Sequence, residues 1–172
     1  MGNKQTQAGF TLMELMVVVA IAAILATIAA PSFTGLLNDT KQSSLASQLV
    51  SDLNRARSEA IKRNARVVFC VRNSTGTDCG TGTNWQNGWL ICYGSSACDT
   101  TLPADGSAAN PLSMRQVLDP RLTLTGSTHL IRFNPNGTQG SAGSATLTLN
   151  GTWSAATTKT ITVAATGYIS QH

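Results

Sequence analysis

Gly9-Phe10-Thr11-Leu12-Met13-Glu14, followed by a run that stays apolar from Leu15 to Ala30, decides the fold. Phe10 to Ala30 is 21 residues, and a helix needs roughly 20 to cross a bilayer core of about 30 Å. Glu14 is the only charge in that span. A lone ionisable group in hydrocarbon costs on the order of 3 kcal/mol unless partnered, so Glu14 reads first as a functional group. An ordinary secretory signal peptide fits poorly. The acid lies early in the apolar region, and Pro31 follows the small residues where cleavage would fall.

Beyond Ala30 the helix is expected to continue. Pro31 removes one backbone hydrogen bond and bends the helix without ending it, and Gly35 adds local softness. Leu45, Leu49, Leu53, Ala56 and Ala60 then recur at helical spacing, with Val50 and Ile61 widening the stripe. Asp52, Arg55, Glu59, Lys62 and Arg63 are assigned to the opposite face. Glu59 and Arg63 stand at i, i+4, a favourable helical pair.

After Asn64 the period changes from helical to alternating. Strands are expected at 66–72, 88–93, 121–125, 129–134, 145–149 and 160–165. Asn134-Pro135-Asn136-Gly137 and Asn150-Gly151 read as turns, and 100–111 as a polar loop. The fold class is α+β, one long helix laid against antiparallel sheet. Four regions follow: a leader at 1–9, a transmembrane or filament-core helix at 10–30, its amphipathic continuation at 31–64, and a β-rich head at 65–172.

The net charge of +4 and a charged fraction of 12% do not demand a nucleic-acid partner. Cys70, Cys79, Cys92 and Cys98 all follow the apolar segment, and an exported head would carry them in an oxidising compartment. Four cysteines allow three connectivities. The local pairs Cys70–Cys79 and Cys92–Cys98 are preferred because each closes a Gly/Ser/Thr-rich loop. The rival Cys70–Cys92 pair would tie neighbouring strands and stays open. The spacings lack the CxxC knuckles of structural zinc sites, so no metal is expected.

The N-terminal residues resemble the type IV prepilin signature: a short polar leader ending in Gly, then Phe-Thr-Leu-x-Glu. That resemblance implies cleavage after Gly9 by a prepilin peptidase and methylation of the new N-terminal Phe10. It implies that Glu14 pairs with the N-terminal ammonium of a neighbouring subunit in a filament. Lys4 in the leader, with no acid beside it, favours a cytoplasmic N-terminus. The head would then lie in the periplasm of a bacterial inner-membrane protein before entry into a filament.

Four further stretches sharpen the match. Leu53–Asn64 leads into a strand at Val67, Trp85-Gln86-Asn87-Gly88-Trp89 precedes the next, and Phe133-Asn134-Pro135-Asn136-Gly137 and Thr166-Gly167 follow. In this order they resemble the GspH/FimT/FimU family of minor pilins and minor pseudopilins. The implied partners are other pilins or pseudopilins, the prepilin peptidase, an inner-membrane assembly platform and membrane lipid. The implied function is structural, at or near a filament tip, in either a type IV pilus or a type II secretion system.

The alternative is DNA uptake. Some FimT-like members resemble DNA receptors with a C-terminal Gly-Arg-x-Arg motif, but the matching frame here reads Gly167-Tyr168-Ile169-Ser170, without either arginine. Arg121 and Arg132 remain as candidate DNA contacts. Arg55, Arg57, Lys62, Arg63, Arg66 and Arg72 form the densest basic cluster and read as a solvated face. Trp85 and Trp89 read as core anchors. His129 and His172 are isolated, no phosphate-cradling glycine loop is present, and neither catalysis nor a cofactor has residues to support it.

Overall fold

The computed structural model describes residues 9–99, 110–116, 118–140 and 143–172, without the side chains of residues 28–32. The expected leader, apart from Gly9, and most of the 100–111 loop lie outside the described residues. The chain divides into two compact units, Met1–Leu37 and Asn38–His172. Helix α1, Leu12–Lys62, passes through Pro31 without a break.

In the first unit the apolar side chains of α1 are exposed, from Leu12 and Met13 to Ile24 and Leu25. Among the described residues no helix is long and apolar enough to cross a membrane. The expected span, 10–30, runs into residues whose side chains lie outside the described ones.

The second unit is the head. After α1 come β1 (Val67–Val71), β2 (Trp89–Tyr93), β3 (Ser113–Met114), β4 (Leu122–Gly126), β5 (Leu130–Phe133), β6 (Ala145–Gly151), β7 (Lys159–Val163) and β8 (Ile169–Gln171). They form two four-stranded antiparallel sheets, ordered β3-β2-β1-β5 and β4-β6-β7-β8. Leu45, Ala46, Leu49, Leu53, Ala56 and Ala60 of α1 are buried in one core with residues of both sheets. The expected stripe is there, with one exception. Ile61 is 50% exposed, because it lies over the Gly137 turn beside the core, with its Cδ1 2.8 Å from where a Cβ on Gly137 would stand.

Two charges expected on the far face are instead drawn to the core margin. Asp52 Oδ2 accepts the Trp89 indole N–H at 2.9 Å. Glu59 Oε2 accepts from Arg63 Nε at 3.0 Å and from the Tyr93 hydroxyl at 3.4 Å. The Asp52 carboxylate satisfies an indole donor that burial would otherwise orphan.

The helix ends through Asn64, which adopts φ 49°. Ala65 N donates to Ala60 O at 3.2 Å, a 6→1 closure with asparagine in the place glycine usually takes. Ala65 packs on the core, and the chain enters β1 two residues later.

Every residue of β1 and β2 is buried. One face of this pair meets the helix. The other forms a second small core of Val68, Cys70, Leu90 and Cys92, with Cys79, Cys98 and Leu130 against it. The alternation expected of a one-faced sheet appears in β4, β6 and β7, whose buried and part-exposed positions alternate. Trp85 is fully buried, stacks on Phe69 at 5.4 Å, and donates its indole N–H to Thr128 O at 3.1 Å.

The strands differ from expectation in two respects. Asn150-Gly151 is not a turn: both residues continue β6 and pair with Thr123 and Leu122. The chain reverses afterwards, where Ala156 N donates to Trp153 O at 3.2 Å and Ala155 takes φ 64°. Gly151 is needed instead by Trp153, whose ring stands 2.3 Å from where a Cβ would project. The short edge strands β3 and β8 were not foreseen, since neither carries an apolar alternation.

The Asn134–Gly137 turn does close, with Gly137 N donating to Asn134 O at 2.8 Å and Gly137 at φ 79°. Gly167 then packs on it: at φ 80°, a Cβ there would lie 1.9 Å from Gly137 O. Arg57 Nε also donates to Gly137 O at 2.9 Å, which ties this turn to the helix. Gly167→Ala should therefore cost on the order of 3 kcal/mol in denaturant unfolding. Gly143→Ala, at φ 101° with open space around it, should cost only about 1 kcal/mol. Equal losses would show that backbone conformation alone, without the Gly137 contact, governs Gly167.

Candidate functional site

The start of α1 is built as a reciprocal cap. Glu14 N donates to Thr11 Oγ1 at 3.2 Å. In return, Glu14 Oε2 accepts from Thr11 N at 3.0 Å and from the Thr11 hydroxyl at 2.9 Å. Leu15 N donates to Thr11 O at 3.2 Å, the first helical bond. This is a capping box, in which an N-terminal Thr and a Glu three residues on satisfy each other's orphan donors. Its signal, Thr-x-x-Glu at 11–14, stands in the sequence, although charge and hydropathy alone drew attention to Glu14.

The cap has a chemical consequence. One carboxylate oxygen of Glu14 is occupied, and the side chain is exposed. The acid is held in place, and among the described residues no group donates to its other oxygen. Both capping donors belong to Thr11, downstream of the Gly9–Phe10 bond. Phe10 is 87% exposed, and among the described residues a Cβ on Gly9 would meet nothing within 4 Å.

The cysteines form two disulfides, Cys70–Cys79 and Cys92–Cys98, with Cα separations of 5.5 and 5.1 Å. The sulfurs of Cys70, Cys79 and Cys98 lie within 4.8 Å of one another. All are oxidised, so this cluster presents no thiolate to a metal. Asp78 Oδ1 links the two loops, accepting from Cys79 N at 2.6 Å and Cys98 N at 2.9 Å.

Arg121 and Arg132 are not brought together as an exposed pair. Arg121 leads into β4 of the second sheet and spends its guanidinium on Asp119 and on Asn38 Oδ1 at 2.9 Å. Arg132 lies in β5 of the first sheet and donates to Ser95 O at 3.2 Å and to Gly140 O. Of the basic cluster, Arg57 serves Gly137, Arg63 pairs with Glu59 at 3.0 Å and lies over the Tyr93 ring, and Arg55, Lys62 and Arg66 are exposed.

Asn38, Asp39, Lys41 and Gln42 form a polar bracket that was not read from the sequence. Asp39 Oδ1 accepts the Trp153 indole N–H at 2.9 Å, and Lys41 Nζ lies 3.6 Å from Asp119 Oδ2. Buried Gln42 donates to Leu149 O at 3.1 Å and Thr157 O at 2.6 Å. No local signal marks these partners, because each is more than 70 residues away.

A helix that enters a β head of two antiparallel sheets, headed by an exposed apolar segment with one capped acid, defines a type IV pilin-like protein. Residues 45–167 match the family model of the type II transport protein GspH, and residues 4–30 match the prokaryotic N-terminal methylation motif. The chain belongs to the GspH family, whose members are minor pilins and pseudopilins rather than enzymes. Its fold is similar to that of the type IV minor pilin FimU of Pseudomonas aeruginosa strain PAO1, solved in two crystal forms. The P21 form shares 20% identity at a TM-score of 0.57, covering 77% of this chain and 89% of that one. The P65 form gives 20%, 0.55, 76% and 91%. No curated protein matches the chain.

Hydrogen bonds from the Arg121 side chain and backbone hold the Asp119 carboxyl well below the usual carboxylate range, and Asp119 in turn holds the Arg121 guanidinium above its usual value. A carboxyl whose folded pKa is depressed contributes stability that is fully present above its unfolded value of about 3.9 and fades as pH falls below that value. Asp119→Asn should flatten the acid limb of the stability curve below about pH 4 and leave the slope near neutrality unchanged. An unaltered acid limb would show that the pair contributes nothing to folding.

Proposed function

We propose that this chain is a minor subunit of a type IV pilus or of a type II secretion pseudopilus, placed at or near the filament tip with other minor pilins. The observation that carries the reading is an exposed apolar helix beginning at a single capped carboxylate. Exposed apolar surface of that extent requires lipid or neighbouring helices.

On this reading a prepilin peptidase cuts between Gly9 and Phe10 and the new N-terminus is methylated. The helix 10–30 then anchors the subunit in the bacterial inner membrane, N-terminus cytoplasmic and head periplasmic. An oxidising periplasm suits the two disulfides of the head. Cleavage leaves Thr11 in the chain, so the cap survives maturation. The inner-membrane platform then passes the helix from lipid into the filament. There the free side of the Glu14 carboxylate meets the N-terminal ammonium of a neighbour. Two such charges are tolerable in an apolar bundle only together, which selects register.

Glu14→Ala should lower recovery in filaments about tenfold or more while membrane insertion is unchanged. Glu14→Gln keeps an oxygen for the Thr11 donors and removes the charge. It should fail to the same degree, measured by immunoblot of sheared filaments against membranes. Normal recovery of the glutamine variant would assign the effect to the cap and remove the charge-pairing account.

The DNA-uptake reading has less to rest on, because Arg121, just before β4, and Arg132, in β5 of the other sheet, are both engaged within the head. The full chain in detergent should give no gel shift with duplex DNA at physiological salt. Micromolar binding that weakens steeply with salt would reverse this order.

A further inference from the structure

At the end of the first sheet, where β1 gives way to the connection toward β2, lies an open polar cleft of about 420 Å³. Arg72, Asn73, Ser74, Thr81, Asn84 and Asn87 line it, and among the described residues no acidic one does. Nothing in the filament reading uses this cleft.

Arg72 sets it apart from an ordinary hollow. Its Nε is closed off from solvent with no hydrogen-bond partner, and among the described residues no group accepts from the rest of the guanidinium. Nε, closed to solvent, lies beyond a ligand's reach, so an acceptor from outside would meet the terminal Nη donors.

The backbone of Arg72 is held on two sides and its guanidinium is packed on a third. Arg72 N donates to Gly88 O at 3.1 Å, and Arg72 bridges to Cys79, which is joined to Cys70 by a disulfide. Gly76 packs so closely that a Cβ there would stand 2.3 Å from Arg72 Nη2. The Gly76 turn is held by Asn73 Oδ1, which accepts from Gly76 N at 2.7 Å and Thr77 N at 3.1 Å. Neutral donors line the same cleft. Asn84 uses its oxygen for Gln86 N at 2.9 Å, which leaves its amino group free to donate. The hydroxyls of Ser74 and Thr81 and the amide of Asn87 complete the lining.

We propose that this cleft binds a single carboxylate group. A planar guanidinium fork matches the two oxygens of a carboxylate, and neutral amide and hydroxyl donors complete its shell without excess charge. One cation is too few for a polyphosphate chain, whose affinity accumulates over several phosphate contacts. The carboxylate comes either from an acidic side chain on a polypeptide or from a free small acid, and the two sources are separable.

The experiment is nitrogen-15 NMR of full-length protein in zwitterionic detergent, read at Arg72 Nε–Hε and at the Asn87 side-chain amide. The probes are sodium acetate, the blocked peptide acetyl-Ala-Glu-Ala-amide, and sodium chloride at matched ionic strength. Saturable shifts with both carboxylates and none with chloride are expected. Tighter binding of the peptide identifies a polypeptide source, and equal or tighter binding of acetate a free acid. Arg72→Lys keeps the charge without the fork and should weaken acetate about tenfold at the Asn87 amide. Asn87→Asp supplies a carboxylate within the cleft and should abolish the response at Arg72. Shifts that chloride reproduces, meaning an adventitious ion only, would overturn the proposal, as would undiminished acetate binding by the Asn87→Asp protein.

Discussion

The apolar seam of α1 in the head is the contact on which the remainder of that unit depends. The two sheets share no strand, and β4 and β5, consecutive in the chain, belong to different ones. Leu45, Leu49, Leu53, Ala56 and Ala60 join residues of both sheets in one core. Leucines lead this face and alanines end it, so bulk fills the space between sheets along its first part while Ala56 and Ala60 allow close approach near the end of the helix. Truncating one such leucine removes about 2–5 kcal/mol from a domain whose whole stability is on the order of 5–15 kcal/mol. Few surface interactions in this head approach that size.

The disulfides solve a different problem. β1 and β2 are buried on both faces, yet only one face can meet the helix. The other is covered by loops rich in Gly, Ser and Thr, which contribute little apolar area. Crosslinking Cys70 to Cys79 and Cys92 to Cys98 holds those loops down where hydrophobic burial cannot. Asp78 couples the two loops by accepting an amide from each.

What was legible in the sequence follows from how locally each feature is encoded. The buried helix face is a periodicity within one element, and Leu45 to Ala60 could be read directly. The Asn134–Gly137 turn carries its own chemistry. Asn150-Gly151 carries the same chemistry and misled, because register with β4 outweighs a local turn preference. Asp52 and Glu59 looked like surface charges until Trp89 and Tyr93 arrived from β2 with donors to satisfy. The bracket at 38–42 was illegible for the same reason. At the N-terminus, Glu14 stood out by charge, and its cap was also readable from the spacing to Thr11.

One helix thus carries two apolar populations with opposite fates. From Leu45 to Ala60 the apolar side chains are satisfied inside the head, whereas from Phe10 to Leu25 the large ones remain exposed. The first population accounts for folding. The second is a demand that the chain itself does not meet, and on the proposed reading it is met first by lipid and then by other subunits. Apolar contact alone is poorly selective, since such a helix gains nearly as much from any greasy neighbour at any offset. A single carboxylate at the helix start, anchored by Thr11 and offering one oxygen outward, changes this. On the proposed reading each wrong offset would leave a charge without its partner, so alignment would come from one polar contact while the many apolar ones supply adhesion.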